Sequence, residues 1–588
     1  MKGAPPLATA FFSLLSLASL TTFPLTAAPG DLDDLDAEVT GSYLLTTIVQ
    51  PDGKILIGGD FAQVQGESRQ YIARLNADGS LDTFFDPKAN NLVYCLAVQA
   101  DGKILLGGDF TSLQPNGTPV AVPRSKIARL NPDGSLDMTF DPKTNGSVYS
   151  LAVQGDGKIL IGGVFSTLQP NGVPAPISRN SIARLLPDGS LDTAFDPNAN
   201  HNVFGLAVQS DGKILLGGLF TSLQPNGAPS GTARQYMARL LPDGSLDNSF
   251  DPKANNWVGC MTVQKDGKIV MGGSFTSLQP NGAPSATPRN RIARLHPDGS
   301  LDETFNPNAN NTVWGLALQA DEKILLGGGF TSLQPNGSPA STARSFVARL
   351  QSDGSLDSSF DPKTNHWVYS LAMQADGRIL LGGIFSTLQP NGSVTPDARH
   401  LFARLQNDPA LQMLEIPSGS QVSWLRGGAG PELSRASFDL STDGGTTWTP
   451  LGEAARVGST ADWELTNLSL PTSGTLRARG IPTGGVFNGS QSLIEQTASF
   501  VIIVDPVITL PIQKGDAAPG AGVHPLVPAG AVFTTLYPPA TNASGQVAYR
   551  AKWKAGTQSG YGIYIDDIII GVTGDTAPDT GGDTFKGF

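Results

Sequence analysis

The sequence predicts an all-β protein whose main part is built from seven copies of one unit. A turn of the Asp-Gly-Lys type recurs with one step of 49 residues and then five steps of 55, and the turns begin at Asp52, Asp101, Asp156, Asp211, Asp266, Asp321 and Asp376. Repetition at this period is typical of folds in which each unit packs on its neighbours. The composition agrees, because 69 Gly, 44 Pro and only 15% charged residues suit short strands and tight turns.

The first 28 residues are interpreted as a signal peptide. Lys2 precedes an apolar stretch over residues 7–25, and small residues follow up to Ala28. An uncut membrane anchor is the alternative, but Pro24 and several Ser and Thr residues interrupt the stretch. We therefore expect an exported protein at the cell surface, outside the cell or in the periplasm, with no membrane span after cleavage.

Each repeat is predicted to form a blade of four short strands. In residues 148–197, VYSLAVQ and KILIGGVF flank a DG turn, and SIARL and SLDTAF flank a PDG turn. Two hairpins of this kind make one small sheet, and seven such sheets in a ring make a β-propeller, which we place at residues 29–417.

The seventh repeat lacks its last strand motif, and the N-terminal segment can supply it. After Leu405 the chain reads QNDPALQM, whereas residues 30–33 align with the GSLD of residues 134–137. We expect residues 30–33 to complete the last blade and remove the exposed sheet edges. An open solenoid is the alternative, but it would carry capping units rather than complementary half-units at its ends.

An arginine and an aspartate face each other across the second hairpin of six repeats, and each pair is expected to contribute about 0.2–1 kcal/mol. The predicted pairs are Arg129–Asp137, Arg184–Asp192 and Arg239–Asp247, with Arg74–Asp82, Arg294–Asp302 and Arg349–Asp357. Arg404 has no such aspartate in its own repeat, so closure predicts Asp33 as its partner. Calcium binding is the alternative for these aspartates, but calcium sites draw several oxygens from one short loop, and no metal site is predicted.

The motif DGKILLGG followed by IARLNPDGSLDxxFDP resembles the delta-60 repeat family, and the resemblance covers residues 31 to about 407. It implies a β-propeller of the kind found in exported bacterial proteins. It implies no catalytic residues.

The candidate binding residues lie where the innermost strands begin. Because strands alternate in direction, the DGK and PDG turns share one face of the propeller, here called the turn face. The LQPNG loops and the DPKANN-type links share the other, the long-loop face. Variable residues near the channel mouth on that face are His201, Trp257, Trp314, His366 and Trp367. Such rings can stack on a sugar or clamp a peptide, although packing inside the channel is an alternative role.

Catalytic and cofactor sites are not predicted. None of the five histidines lies in an HxH or HExxH pattern, and no strict GxSxG motif occurs. Acidic pairs remain the basis for an alternative carbohydrate-active enzyme, but nearly every aspartate belongs to a repeated turn or ion pair. The formal net charge of −12 argues against nucleic acid as a partner. The two cysteines, Cys95 and Cys260, are predicted to be buried free thiols.

Two further segments follow the propeller. Strand-like runs over residues 418–504 predict an Ig-like β-sandwich. Within it, Ser441, Asp443, Gly445 and Trp448 resemble the Asp-box hairpin of sialidases, which is a structural element in that family. Residues 505–588, with KGDAAPGAG and TGDTAPDTG, are interpreted as a β-rich tail that resembles an incomplete propeller-type repeat.

These observations predict a monomeric, non-enzymatic binding or adhesion protein whose long-loop face binds a glycan or a surface protein. A passive structural spacer of the cell surface and a carboxylate-dependent enzyme are the two alternatives.

Overall fold

The computed structural model describes residues 28–486, 490–502, 532–536, 540–541, 547–555, 557–565 and 568–572. The predicted signal peptide lies outside these ranges except for Ala28, and so does most of the predicted tail. The described residues form strands, turns and a few 3-10 turns, which confirms the all-β prediction. In these ranges no helix is long and apolar enough to cross a membrane.

Seven small antiparallel sheets of the same construction follow one another through the described part of the chain, and we number them repeats 1 to 7. The inner strands are Thr40–Val49, Val93–Val98, Val148–Val153, Val203–Val208, Val258–Val263, Val313–Leu318 and Val368–Met373. The middle strands are Ile55–Val64, Ile104–Gly108, Ile159–Gly163, Ile214–Gly218, Ile269–Gly273, Ile324–Gly328 and Ile379–Gly383. The third strands are Ile72–Leu75, Ile127–Leu130, Ile182–Leu185, Met237–Leu240, Ile292–Leu295, Val347–Leu350 and Phe402–Leu405.

The expected fourth strand is present only as a single β-bridge in each sheet. Leu130 bridges Leu136 in repeat 2, and the equivalent leucines do so in repeats 1 and 3 to 6. In repeat 7 the partner comes from the other end of the chain, because Leu32 bridges Leu405. The motif SLDxxF is too short and too rich in turn contacts to extend the ladder, since Asp137 Oδ1 accepts the Thr139 N–H at 3.0 Å.

The long loops contain small hairpins and 3-10 turns. The hairpins pair Ser112–Leu113 with Val122–Pro123, Thr167–Leu168 with Ile177–Ser178, Ser222–Leu223 with Thr232–Ala233, Ser277–Leu278 with Thr287–Pro288, Ser332–Leu333 with Thr342–Ala343, and Thr387–Leu388 with Asp397–Ala398. Glu67–Ser68 extends the shorter loop of repeat 1. The 3-10 turns are Pro115–Gly117, Pro225–Gly227, Pro280–Gly282, Pro335–Gly337 and Pro390–Gly392.

The cores lie between neighbouring sheets. Cys95 and Leu105 of repeat 2 pack with Val148 and Ile161 of repeat 3, and all four are fully buried. Repeats 1 and 7 share a core in the same way, since Leu44 packs in one cluster with Leu380. Both cysteines are buried and free, and burial raises the pKa of each thiol.

The paired glycines of each middle strand allow this close packing. A side chain at Gly107 would collide with Cys95 Sγ and Val148, and one at Gly108 would collide with the carbonyl oxygen of Leu92. Only glycine leaves room there for the neighbouring strand and the next sheet.

Two four-stranded sheets follow repeat 7 in the same compact unit, which extends to Val501. One contains Ala410–Ser418, Gln421–Gly428, Trp463–Thr466 and Ala455–Arg456, and the other contains Thr449–Glu453, Leu433–Ser441, Ser473–Pro482 and Ile494–Val501. They enclose one core around Trp424, Phe438 and Leu476. We call these two sheets the sandwich. Their first strand begins at Ala410, before the expected boundary at 418, and Gly419 and Ser420 form the hairpin turn that follows it.

A separate unit covers residues 502–588, of which the structure describes five strands in one sheet. They are Val532–Leu536, Ala540–Thr541, Val547–Ala555, Gln558–Ile565 and Ile568–Val572.

Candidate functional site

A β-bulge in every inner strand directs one residue towards the channel mouth on the long-loop face. In repeat 2 the register shifts between Val93 and Cys95, so Tyr94 has no partner opposite it on the middle strand. The same shift occurs at the equivalent position of the other repeats. Bulges of this kind re-aim a side chain, and here they direct seven equivalent residues to one place. Those residues are Leu45, Tyr94, Tyr149, Phe204, Gly259, Trp314 and Tyr369.

Two of these positions lack an aromatic ring, and a residue two positions earlier supplies it. Tyr43 precedes Leu45 in repeat 1, and Trp257 precedes Gly259 in repeat 5. Trp367 occupies the same earlier position in repeat 7, where Tyr369 is also aromatic. Each repeat therefore contributes at least one ring to the channel mouth.

The rings contact one another around the mouth. Tyr94 and Tyr149 have ring centroids 4.9 Å apart, and Tyr149 lies 5.6 Å from Phe204, both in edge-to-face geometry. The series continues through Trp257 and Trp314, whose centroids are 4.9 Å apart with planes tilted by 36°. These distances lie in the range at which aromatic pairs attract one another, so the rings hold each other in place.

Together these rings form a cavity of about 590 Å³, which we call the aromatic bowl. Its lining is Tyr43, Leu45, Leu92, Tyr94, Tyr149, Phe204, Leu219, Trp257, Trp314, Trp367 and Tyr369. Each of the rings is half-buried. Burial raises the pKa of Tyr43, Tyr94, Tyr149 and Tyr369 above its ordinary value.

The structure brings three of the five predicted binding residues into the bowl. Trp257, Trp314 and Trp367 line it. His201 and His366 do not, because each lies one position before the one that Trp257 and Trp367 occupy, and both are exposed. His366 stacks on Phe346 with centroids 6.0 Å apart, and His201 Nδ1 accepts the Asn202 N–H at 2.9 Å.

Five rings of the bowl were not singled out from the sequence, namely Tyr43, Tyr94, Tyr149, Phe204 and Tyr369. Four of them share one signal, because each directly follows the first valine of its inner strand. An aromatic residue at this recurring position would have identified them. Tyr43 has no such signal, since repeat 1 departs from the common pattern there.

The sandwich sends one segment into the opposite end of the channel, at the turn face. We call residues 483–493 the channel segment, of which the structure describes 483–486 and 490–493. Gly484–Val486 pairs antiparallel with the inner strand of repeat 6. Gln491 donates its N–H to the Leu96 carbonyl at 2.9 Å and accepts the Val98 N–H at 3.0 Å.

Side chains of the channel segment add further contacts. The hydroxyls of Ser490 and Thr46 lie 2.6 Å apart, and those of Thr483 and Thr262 are also 2.6 Å apart. All four residues are buried. The propeller repeats and the sandwich are therefore joined by hydrogen bonds inside the channel as well as by the connecting chain.

The predicted ion pairs are present and buried. Arg129, Arg184 and Arg239 lie 2.9, 2.9 and 2.8 Å from the carboxylates of Asp137, Asp192 and Asp247. Arg404 lies 2.6 Å from Asp33. Burial opposes the ionisation of Asp33, but hydrogen bonds from Arg404 and from the backbone outweigh it, and the pKa of Asp33 is lowered.

Each of these arginines also contacts the next repeat. Arg129 Nη1 donates to the Pro187 carbonyl at 2.6 Å, and its guanidinium lies 4.4 Å from the Phe140 ring centre. In repeat 7, Arg404 donates to the Ala77 carbonyl of repeat 1 at 3.2 Å. The arginines thus hold sheet to sheet, and among the described residues no cluster of three or more His, Cys, Asp or Glu side chains is arranged to hold a metal.

The Asp-box motif forms a compact hairpin turn in the sandwich. Ser441 Oγ lies 2.7 Å from Asp443 Oδ1, and Asp443 accepts hydrogen bonds from the Thr447 backbone and hydroxyl. The guanidinium of Arg477 lies 4.0 Å from the Trp448 ring centre. The polar motif residues therefore bond within the turn, and Trp448 packs against a neighbouring strand.

Six segments match the model of a family described as a domain of unknown function (DUF5122) beta-propeller. The matched residues are 50–85, 99–140, 154–195, 209–250, 264–305 and 319–360. The chain is a β-propeller repeat protein. No curated protein sequence matches it.

Several solved structures are similar to the chain at low identity. The WD40 beta propeller domain of Doa1 is 13% identical with a TM-score of 0.38, over 63% of this chain and 96% of that one. The Dos1 propeller is 11% identical with a TM-score of 0.35, over 67% and 94%. PorZ, described as an essential bacterial surface component of the type-IX secretion system of Porphyromonas gingivalis, is 14% identical with a TM-score of 0.28, over 76% and 64%.

Proposed function

We propose that this chain is an exported, non-enzymatic binding or adhesion protein whose aromatic bowl holds apolar side chains of a surface protein. The observation that carries the proposal is the bowl itself, because every repeat contributes a half-buried ring to one cavity of about 590 Å³. A β-propeller is suited to a binding or a structural role, and a purely structural spacer has no need for solvent-facing rings at a channel mouth.

The lining favours a protein ligand over a glycan. Rings and leucines make up the lining, and the polar groups among them are phenol hydroxyls and indole N–H groups. A sugar needs several hydrogen bonds in addition to stacking, whereas aliphatic and aromatic side chains need mainly apolar contact. A glycan remains the second candidate because the tilted Trp257–Trp314 pair offers ring faces to a pyranose.

The support for a closed ring of seven blades comes from both ends of the chain. Leu32 bridges Leu405, Asp33 pairs with Arg404, and Arg404 reaches the Ala77 carbonyl of repeat 1. We infer that residues 30–33 complete the last blade. The delta-60 resemblance and the N-terminal apolar stretch support export, and the two-sheet sandwich after repeat 7 supports an Ig-like domain.

The use of the aspartates supports a non-enzymatic role. Asp82, Asp137, Asp247, Asp302 and Asp357 are each bonded to an arginine, and the turn aspartates accept bonds from their own backbone. No cofactor, metal or nucleic acid is part of the proposal, and the protein is proposed to act as a monomer.

The test is a binding screen of the full chain without its signal peptide against arrays of extracellular bacterial proteins and of glycans. Trp257→Ala combined with Trp367→Ala should reduce binding at least about tenfold, because two large apolar contacts are lost. His201→Ala is the control, since His201 is exposed and lies outside the bowl, whereas His366 contacts the Trp367 ring.

The proposal is supported by a protein ligand whose saturable binding is lost in the double tryptophan variant and kept in His201→Ala. A glycan with the same pattern would establish the second candidate instead. Unchanged binding in the tryptophan variant, with its thermal unfolding midpoint preserved, would remove the bowl as the binding site.

A further inference from the structure

Six of the long loops carry the same chemically reactive pair, asparagine followed by glycine. The six asparagines, in the LQPNG motifs of repeats 2 to 7, are Asn116, Asn171, Asn226, Asn281, Asn336 and Asn391. Asparagine is one of the thermolabile residues of proteins, and a glycine after it leaves the next amide nitrogen uncovered by a side chain. All six asparagines are exposed, so access of water does not distinguish them.

Five of the six asparagines are held by three hydrogen bonds each. In repeat 2, the Asn116 N–H donates to the Asp86 carbonyl at 2.8 Å, and Asn116 Oδ1 accepts the Asp86 N–H at 3.0 Å. Asn116 Nδ2 donates to the Asp133 carbonyl at 3.2 Å. A backbone bond, an Oδ1 bond and an Nδ2 bond also hold Asn226, Asn281, Asn336 and Asn391.

Asn171 of repeat 3 is the exception. The other five asparagines lie in 3-10 turns with φ between 46° and 53°, whereas Asn171 has no positive φ and lies in no such turn. Among the described residues no hydrogen bond reaches its N–H or its Oδ1, and only Nδ2 is bonded, to the Thr139 carbonyl. The loop still closes, since the Val173 N–H donates to the Pro170 carbonyl at 3.0 Å.

This difference bears on one reaction, the deamidation of asparagine. The backbone nitrogen of the following glycine attacks Cγ of the asparagine, and the bond from Cγ to Nδ2 breaks. Nδ2 leaves as ammonia, taking the proton of the glycine N–H, and a cyclic succinimide remains. Solvent water then opens the ring at either carbonyl and gives aspartate or isoaspartate.

The hydrogen bonds of the asparagine side chain oppose this reaction. The side chain must rotate until Cγ meets the glycine nitrogen, because the two reacting atoms have to be brought into contact. In the five held loops, this rotation breaks the bonds at both Oδ1 and Nδ2. At Asn171 it breaks only the bond from Nδ2. Each additional bond that must break adds its free energy to the barrier, so Asn171 has the lower barrier.

We propose that Asn171–Gly172 is a site of spontaneous deamidation, at which Asn171 becomes aspartate or isoaspartate while the fold protects the equivalent pairs of repeats 2 and 4 to 7. The product adds a negative charge to one long loop and removes the amide that donates to the Thr139 carbonyl. The site is independent of the aromatic bowl and of the function proposed for it.

Two further Asn-Gly pairs lie outside these loops. Asn145 is held at both ends of its amide, because Oδ1 accepts the N–H groups of Ser166 and Thr167 at 2.8 and 3.0 Å and Nδ2 donates to Ser166 Oγ at 2.9 Å. It should therefore be protected like the five loop asparagines. Asn488 lies outside the described residues.

The test is a time course on the full chain without its signal peptide, kept folded in mildly alkaline buffer and then digested with trypsin. Cleavage after lysine and arginine places each Asn-Gly pair in its own peptide, with Asn171 in residues 159–179 and Asn226 in residues 214–234. Mass spectrometry detects the change from amide to acid, and an isoaspartate-specific methyltransferase labels the isoaspartate. Asn171 should deamidate at least about fivefold faster than any of the five held asparagines.

The unfolded protein is the internal control. In guanidinium the native hydrogen bonds are lost, so Asn171 and Asn226 should deamidate at similar rates. The proposal is overturned if Asn171 reacts no faster than the held asparagines in the folded protein. It is also overturned if the excess rate of Asn171 persists after unfolding, because the cause would then be the local sequence and not the fold.

A matched pair of variants checks the assignment in the folded protein. Asn171→Gln lengthens the side chain and slows ring closure, so most of the isoaspartate recovered from the six loop peptides should disappear. Asn226→Gln makes the same change at the equivalent position of repeat 4 and should leave that amount almost unchanged. Equal losses in the two variants would contradict a single reactive loop.

Discussion

Arg404 donates two hydrogen bonds to one carboxylate oxygen of Asp33, from Nε at 2.9 Å and from Nη2 at 2.6 Å, although 371 positions separate the two residues. The same arginine reaches the Ala77 carbonyl of repeat 1. This single side chain therefore contacts the first described residues of the chain, the first repeat and the last.

Removing the Asp33 carboxylate should destabilise the propeller. Asp33→Ala leaves Arg404 buried without its partner, which should lower the free energy of unfolding by about 2–4 kcal/mol in urea titrations. Asp34→Ala is the control, because Asp34 is exposed and a surface change of this kind is usually within about 0.5 kcal/mol. If the two variants lower the free energy of unfolding equally, residues 30–33 do not stabilise the propeller through Arg404.

Acid should weaken the protein through the buried aspartates. Burial opposes ionisation of Asp33, Asp82 and Asp137, but their arginine, lysine, hydroxyl and backbone partners outweigh it and lower each pKa. A group whose pKa is lowered on folding stabilises the protein above its unfolded value of about 3.9, and this stability is lost as the pH falls towards the folded value. Thermal unfolding midpoints should therefore be insensitive to these groups at pH 5–7 and fall steadily below about pH 4. A thermal unfolding midpoint that stays constant down to about pH 2 would contradict the lowered pKa values of these aspartates.

Both thiols should be unreactive in the folded protein. Cys95 and Cys260 are fully buried, and burial raises the pKa of each, so little thiolate is available. Ellman's reagent should label neither residue in native buffer. It should label both in about 6 M guanidinium, a concentration that unfolds most proteins fully. Fewer than two labelled thiols after unfolding would reveal a disulfide or a modification.

The propeller repeats and the sandwich should unfold together. The channel segment bonds the sandwich to repeats 1, 2, 5 and 6, so loss of the sandwich core should expose thiols in the repeats. Trp424 lies in that core. Trp424→Ala should lower the urea concentration at which Cys95 and Cys260 become half-labelled, by an amount equivalent to a loss of about 3–5 kcal/mol in the free energy of unfolding. Leu411→Ser is the control, since Leu411 is 65% exposed. A Trp424→Ala variant with a normal thiol midpoint would show that the two parts unfold separately.

The sequence was sufficient for the features that repeat or pair locally. The all-β class and the propeller repeats followed from the period, and the Arg129–Asp137 register followed from hairpin geometry. The fourth strand was overestimated, because the turn contacts of Asp137 compete with ladder bonds and leave a single bridge.

The parts that sequence reasoning missed depend on tertiary contacts. His201 and His366 are close in sequence to the tryptophans, but each lies one position before the earliest one that contributes a ring to the bowl. The channel segment has no motif of its own; its serines and threonines resemble an ordinary loop until the inner strands are placed around them. The expected boundary at 418 falls beside a Gly-Ser hairpin turn, which resembles a linker in sequence.

The channel segment also limits the routes by which a ligand could reach the aromatic bowl. Since the described residues 483–486 and 490–493 lie at the turn face of the channel, the ligand proposed for the bowl would enter and leave through the long-loop face. The proposed site would then hold a side chain that a partner inserts from that face, and the channel would not pass a ligand from one face to the other.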